Sequence, residues 1–111
     1  MHSPELLKGT LQTIILKLLA DNGKMYGYEI TQKVKALSNG KLVLTEGSLY
    51  PTLHKLEAEG LLSTEKVSMG KRVRKYYLLT PVGNSTVSQK IEAFEAFIST
   101  MFNVLQIKPA Y

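Results

Sequence analysis

The sequence predicts a mainly α-helical chain with one small β-hairpin, and three observations carry that reading. Apolar residues recur at helical spacing in four separate stretches, within residues 7–19, 30–37, 49–56 and 87–105. Two runs rich in branched and aromatic residues, 61–67 and 73–79, flank the turn-forming Ser68-Met69-Gly70-Lys71. Between these pieces, Asp21-Asn22-Gly23, Ser38-Asn39-Gly40, Gly60 and Thr80-Pro81 supply stop, turn and cap chemistry.

Ser3-Pro4-Glu5 reads as a cap, a proline at the first helical position and an acid in the first turn. Leu7, Leu11, Ile14 and Leu18 follow, with Ile15 and Leu19 beside them, so one helix is expected to run to Asp21. Ile30, Val34 and Leu37 make the shorter stripe of a second helix, introduced by Tyr26-Gly27-Tyr28-Glu29. Lys41-Leu42-Val43-Leu44 is too short for a helix and suits a brief strand.

The third helix occupies residues 45–60, with Leu49, Leu53 and Leu56 on one face. Pro51 leaves its start open. A cap at Thr45 puts the proline in the second turn, where the lost bond would run to the Gly47 carbonyl; a start at Ser48 puts it in the first turn. The two branched runs then pair as a hairpin. Alternation sets Arg72, Arg74 and Tyr76 on one face of its second strand, with Val73, Lys75 and Tyr77 on the other. Both arginines are thus expected to point the same way at the hairpin tip, and at least one tyrosine to pack against the helices. After Thr80-Pro81 a last helix runs to about Gln106, with Val87, Ile91, Phe94, Ile98, Met101 and Leu105 spaced alternately four and three apart. That is a heptad seam, widened by Phe97 and Phe102, and it predicts packing on another chain.

Composition narrows the function classes. The chain has 111 residues, a length that fits one domain, with 44% hydrophobic and 21% charged residues. No apolar run approaches the roughly 20 residues of a membrane span. No secretory leader is seen, and there is no cysteine for disulfide, thiol or zinc-thiolate chemistry, so a cytoplasmic protein is expected. The net charge is +5, and it is unevenly placed: residues 66–75 hold five basic residues and no acid, whereas residues 81–111 balance two against two. The only two arginines, Arg72 and Arg74, stand in that basic stretch.

Helix, helix, short strand, helix, hairpin is the order of a winged helix-turn-helix, here followed by a long C-terminal dimerisation helix. In that fold the third helix enters the major groove and the hairpin, or wing, reaches the neighbouring backbone or minor groove. Arginine suits such a tip better than lysine, because its planar guanidinium donates in a fork and is less strongly hydrated. On the third helix, Gly47, Ser48, Pro51, His54, Lys55 and Ala58 face away from the leucines, with Tyr50 and Thr52 on the flanks. Ser48, Tyr50, Thr52 and Lys55 can donate to phosphates or base edges, and His54 and Lys55 are the candidate base readers. With Lys71, Arg72 and Arg74 these form the candidate contacts to double-stranded DNA. The bland alternative is a solvated polar face.

Other chemistry is poorly supported. His54 has only His2 as a fellow histidine, so no metal-ligand cluster is expected. Asp21, Glu29 and Glu57 show no acid–base pairing, and no phosphate loop or nucleophile-plus-base set is visible. The chain reads as a non-enzyme without a cofactor. The last helix is neutral by count, which disfavours a basic membrane-surface helix.

The blocks LLKGTLQTIILKLL, YGYEI, EGSLYPTLHKLEAEGLL and GKRVRKYYLLTPVG, spanning about residues 5–83, resemble the PadR-type transcriptional regulators, named for control of phenolic-acid decarboxylation. The resemblance implies a homodimeric winged-helix repressor that dimerises through its final helix with help from the first. The end at Tyr111 is similar to the compact class with a single terminal helix. In that class the dimer can enclose an apolar cavity, where some members bind flat aromatic compounds and release DNA. Phe94 stands where some drug-responsive members carry a tryptophan, with Phe97 nearby. Phenylalanine can stack on a planar ligand, though with less surface and no N–H. Filling the dimer core is the other role open to both residues.

The expectation is therefore residues 1–80 as a DNA-binding domain and residues 81–111 as a dimerisation helix and tail. The dimer would sit on an inverted-repeat operator, repress by blocking polymerase, and respond to a planar aromatic ligand or another signal. The rival is a winged-helix protein-interaction module without specific DNA binding, which a neutral wing would favour; this wing is basic.

Overall fold

The structure, a computed structural model, describes residues 4–108. The cap expected at Ser3 lies outside the described residues. The single first helix is instead two: α1 (Pro4–Lys8) and α2 (Leu11–Asn22). Gly9 holds a helix weakly, and the Thr10 backbone N–H and hydroxyl both donate to the Leu7 carbonyl, at 2.9 and 3.0 Å. A threonine hydroxyl competing for backbone in this way closes a turn and interrupts the helix. α2 buries Leu11, Ile15, Leu16, Leu18 and Leu19 and ends as Gly23 (φ +77°) donates to the Leu19 carbonyl.

The sheet differs from expectation as well. Residues 41–44 form no strand; Leu44 plugs into the core, and the Leu42 N–H donates to Ser38 Oγ at 2.9 Å, not to a neighbouring strand. The third strand is β1 (Met25–Tyr26), which pairs antiparallel with the far edge of the hairpin, Met25 opposite Tyr77 and Tyr26 opposite Tyr76. α3 (Gly27–Leu37) follows β1 directly, and Glu29 caps it by accepting the Tyr26 N–H at 3.1 Å. α4 (Glu46–Ala58) starts at the earlier of the two sequence boundaries.

β2 (Leu62–Met69) and β3 (Arg72–Leu79) form the hairpin, and the strand order is β1-β3-β2. Gly70, at φ +67°, is the first of two loop residues, where a tight type II′ hairpin loop takes glycine. α5 (Pro81–Leu105) completes the chain and stops at Gln106 in the left-handed conformation (φ +56°).

Ile15 and Leu16 of α2, Ile30 of α3, Leu49, Leu53 and Leu56 of α4, and Tyr77 of β3 are fully buried together. Burial of each contributes roughly 1.5–3 kcal/mol, which fastens α4 by one face and leaves the other outside. α5 is welded to the end of α4. The Thr80 hydroxyl donates to the Gly60 carbonyl at 2.6 Å and accepts the Gly83 N–H at 3.0 Å, while the Thr80 N–H donates to the Leu61 carbonyl at 3.1 Å. Val87 then enters the core and Ile91 packs against it. Among the described residues no helix is long and apolar enough to cross a membrane.

Candidate nucleic-acid interface

α4 presents its polar face from a capped start. Thr45 Oγ1 accepts the Ser48 N–H at 3.2 Å, and the Ser48 hydroxyl returns to the Thr45 carbonyl at 3.0 Å. The Thr52 hydroxyl donates back to the Ser48 carbonyl at 2.9 Å. The protons of both hydroxyls are therefore engaged within the helix, and what they offer a partner is acceptor lone pairs. Pro51, His54 and Lys55 stand exposed on the outer face. Lys55 has no carboxylate partner among the described residues.

Tyr50 has a structural tie that the helical wheel does not reveal. Its phenol lies against Gly27 at the start of α3, so closely that a Cβ on Gly27 would overlap the Tyr50 hydroxyl and stand 2.8 Å from Cζ. The other side of the ring tilts toward His54, with 6.3 Å between ring centroids. Gly27 is buried, and only a glycine leaves room for the ring there. Tyr50 thus reaches from α4 to the start of α3, with His54 beside it on α4.

The wing separates the two arginines. Lys71 and Arg72 are exposed at the tip, beside the closing pair Met69 and Arg72. Arg74 is half-buried and lies over the Tyr26 ring, its Cζ 4.0 Å from the centroid. Tyr26 meets Tyr76 edge to face, with centroids 5.6 Å apart at 82°. Lys24 covers the Tyr76 ring at 5.1 Å and binds Glu65 at 2.9 Å. Glu65 is the hairpin's only acid, and this exposed bridge partly offsets its charge. Hydrogen bonding with Tyr76, foremost, raises the Arg74 pKa, and hydrogen bonding with Glu65, foremost, raises that of Lys24. Both stay cationic. The two arginines share a strand face as expected, but only Arg72 is at the tip; Arg74 is stacked where the wing meets α3 by a cation–π contact.

On α5 the seam divides. Val87 is buried within the protomer and Ile91 is half-buried there, which leaves Val87 little surface for a partner. Phe94, Met101 and Phe102 are half-buried, whereas Phe97, Ile98, Val104 and Leu105 are exposed. Phe94 and Phe97 line an open groove of about 550 Å³ with Leu6, Gly9, Thr13 and Ala93. The break between α1 and α2 forms its other wall. No cluster of three or more metal-binding side chains occurs among the described residues.

Sequence reasoning missed Tyr26 and Gly27 as parts of this surface. The signal available was Tyr26-Gly27-Tyr28 itself, a glycine between aromatics at a helix start, but the ring that fills its space comes from α4.

The sequence model of the Transcriptional regulator PadR-like family matches residues 15–89, from α2 through the wing into α5. The chain belongs to this family. This PadR-like chain is 36% identical over 91 residues to the transcriptional regulator Rv3488 of Mycobacterium tuberculosis, covering 82% of the chain and 81% of the relative. Its fold is similar to that of a transcriptional regulator from Clostridium thermocellum, at 30% identity and a TM-score of 0.83 over 93% of this chain and 97% of the other. A PadR-like transcription factor from Bacteroides fragilis shares 33% identity, with a TM-score of 0.74 over 90% and 94% of the two chains. Helical content with a small antiparallel sheet and a long terminal helix is the common architecture. The relatives are transcriptional regulators.

Proposed function

We propose that this PadR-like chain is a sequence-specific DNA-binding regulator, acting as a homodimeric repressor in the cytoplasm. One observation carries the reading: the exposed face of α4, with His54 and Lys55, stands in the same body as a wing whose tip cations Lys71 and Arg72 have no carboxylate partner among the described residues. Residues 1–80 bind DNA in this reading, and residues 81–111 join two copies through the outer part of the α5 seam, half-buried Phe94 and Met101 with exposed Ile98 and Leu105. Two α4 helices then enter successive major grooves of an inverted repeat, with half-sites roughly 34 Å apart. Lysines and arginines supply salt-dependent affinity, while His54, Lys55 and Tyr50 select sequence, with Ser48 and Thr52 as acceptors.

The groove beside Phe94 and Phe97 suits a planar aromatic effector whose binding shifts the spacing of the α4 helices away from the operator. Titrating a panel of planar aromatic compounds against the parent and Phe94→Ala checks that part; no binding by any compound to the parent removes it. The test of the main reading is selection of sites from a random duplex library at near-physiological salt, run beside Arg72→Ala/Arg74→Ala. Enrichment of an inverted repeat, bound more weakly by the variant, is expected. Binding that disappears with salt and enriches no motif would overturn it.

A further inference from the structure

The register of the hairpin places Lys66 directly opposite Lys75. The pair is three rungs from the closing pair Met69 and Arg72, hence about 10 Å down the wing. By alternation it lies on the face that carries buried Tyr77, opposite to the face where Arg74, Tyr26 and Tyr76 stack.

Like charges directly opposite in an antiparallel pair destabilise it. Among the described residues no carboxylate pairs with either lysine. The only described ion pairs are Lys17 with Asp21 and Lys24 with Glu65, and Glu65 is on the other face of the ribbon. Lys75 is half-buried, with its Nζ 5.2 Å over the Tyr77 ring, while Lys66 is exposed. One ammonium is thus positioned by a fixed ring and the other is free to reach toward it. Their Cβ atoms are about 5 Å apart, close enough for both side chains to converge on a single anion.

We propose that Lys66 and Lys75 form a two-ammonium site for one backbone phosphate of a nucleic acid. A phosphate between them converts mutual repulsion into shared attraction, and ammonium point charges need no bidentate geometry to hold it. The wing then carries separate cationic surfaces on its two faces and its tip, so it can meet the two strands that wall a groove from different sides. The inference rests on the DNA-binding reading above and adds two contacts to it.

The test compares parent, Lys66→Gln, Lys75→Gln, the double variant and Arg72→Ala. Each is measured for denaturation midpoint without DNA and for the salt dependence of affinity for a random-sequence duplex. Lys66→Gln is expected to raise the midpoint while weakening DNA binding, a pairing of effects that a purely structural lysine would not give. The double variant should lower the slope of log K against log salt by about 1 in total, because one phosphate is shared. An unchanged slope, a loss of about 2, or a lowered midpoint in Lys66→Gln overturns the site. If Arg72→Ala flattens the slope and the lysine variants do not, the DNA-binding wing stands and this site falls; if none changes the slope, both fall.

Discussion

Replacing Gly83 with alanine asks how firmly α5 is fixed to the DNA-binding body. A Cβ on Gly83 overlaps the Leu61 carbonyl oxygen and would stand 2.9 Å from the carbonyl carbon and 3.2 Å from Cα. The obstacle is backbone, so no rotamer change relieves it, and the first turn of α5 has to lift. Lifting strains the Thr80 bonds to the Gly60 and Leu61 carbonyls, now 2.6 and 3.1 Å. Overpacking of this kind costs roughly 1–3 kcal/mol, and two weakened hydrogen bonds add about 1 kcal/mol each. The better helix propensity of alanine returns about 1 kcal/mol. The expected net loss is about 2–4 kcal/mol, a large share of the roughly 5–15 kcal/mol that holds a domain together.

Gly47 is the matched control. It also lies in the first turn of a helix, but the nearest atom to its added Cβ is Thr45 Oγ1 at 3.9 Å, an ordinary contact. Gly47→Ala should therefore stabilise the chain by about 0.5 kcal/mol. Urea unfolding followed by far-UV circular dichroism, at one protein concentration because association shifts apparent stability, should move the two midpoints in opposite directions. A Gly83→Ala protein as stable as the parent would refute the docking of α5 on Leu61.

Two further outcomes follow from contacts in the candidate interface. Gly27→Ala should displace the exposed Tyr50 ring, lowering stability by no more than about 1 kcal/mol and weakening DNA binding; in a Tyr50→Ala background the same substitution should cost close to nothing, and additive losses in the double-mutant cycle would show that the two residues do not touch. Ile98→Lys, placed on the exposed part of the α5 seam, should convert the proposed dimer to a monomer by light scattering with an unchanged circular dichroism spectrum, and a variant with the mass of a dimeric parent would move the interface elsewhere.

Much of the candidate interface was legible because its determinants are local. The Leu49, Leu53 and Leu56 stripe defines the inner face of α4 and, by subtraction, the outer face with His54 and Lys55. Thr80-Pro81 marks the start of α5 by cap chemistry, and Gly70 marks the hairpin loop. The misreadings have local causes too. Residues 41–44 carry strand-like composition, yet Ser38 takes the Leu42 N–H and β1 occupies the free edge of β3. The apolar period runs unbroken from Leu7 to Leu19, but Thr10 turns its hydroxyl onto the Leu7 carbonyl and divides the helix.

The sequence by itself determined which faces are apolar, where α5 and the hairpin loop fall, and where the positive charge collects, since period, caps and turn residues act within a few positions of one another. Only the tertiary structure decided that Met25 and Tyr26 pair with Tyr77 and Tyr76, that Arg74 stacks on Tyr26 while Arg72 remains at the tip, and that Lys66 opposes Lys75. It also decided that the heptad seam divides, with Val87 turned into the protomer's own core and Phe97, Ile98 and Leu105 left outside. These outcomes depend on strand register and on which distant element fills a space. A one-residue shift in register reverses every face of a strand, and no local pattern in residues 62–79 encodes the neighbour that packs against it.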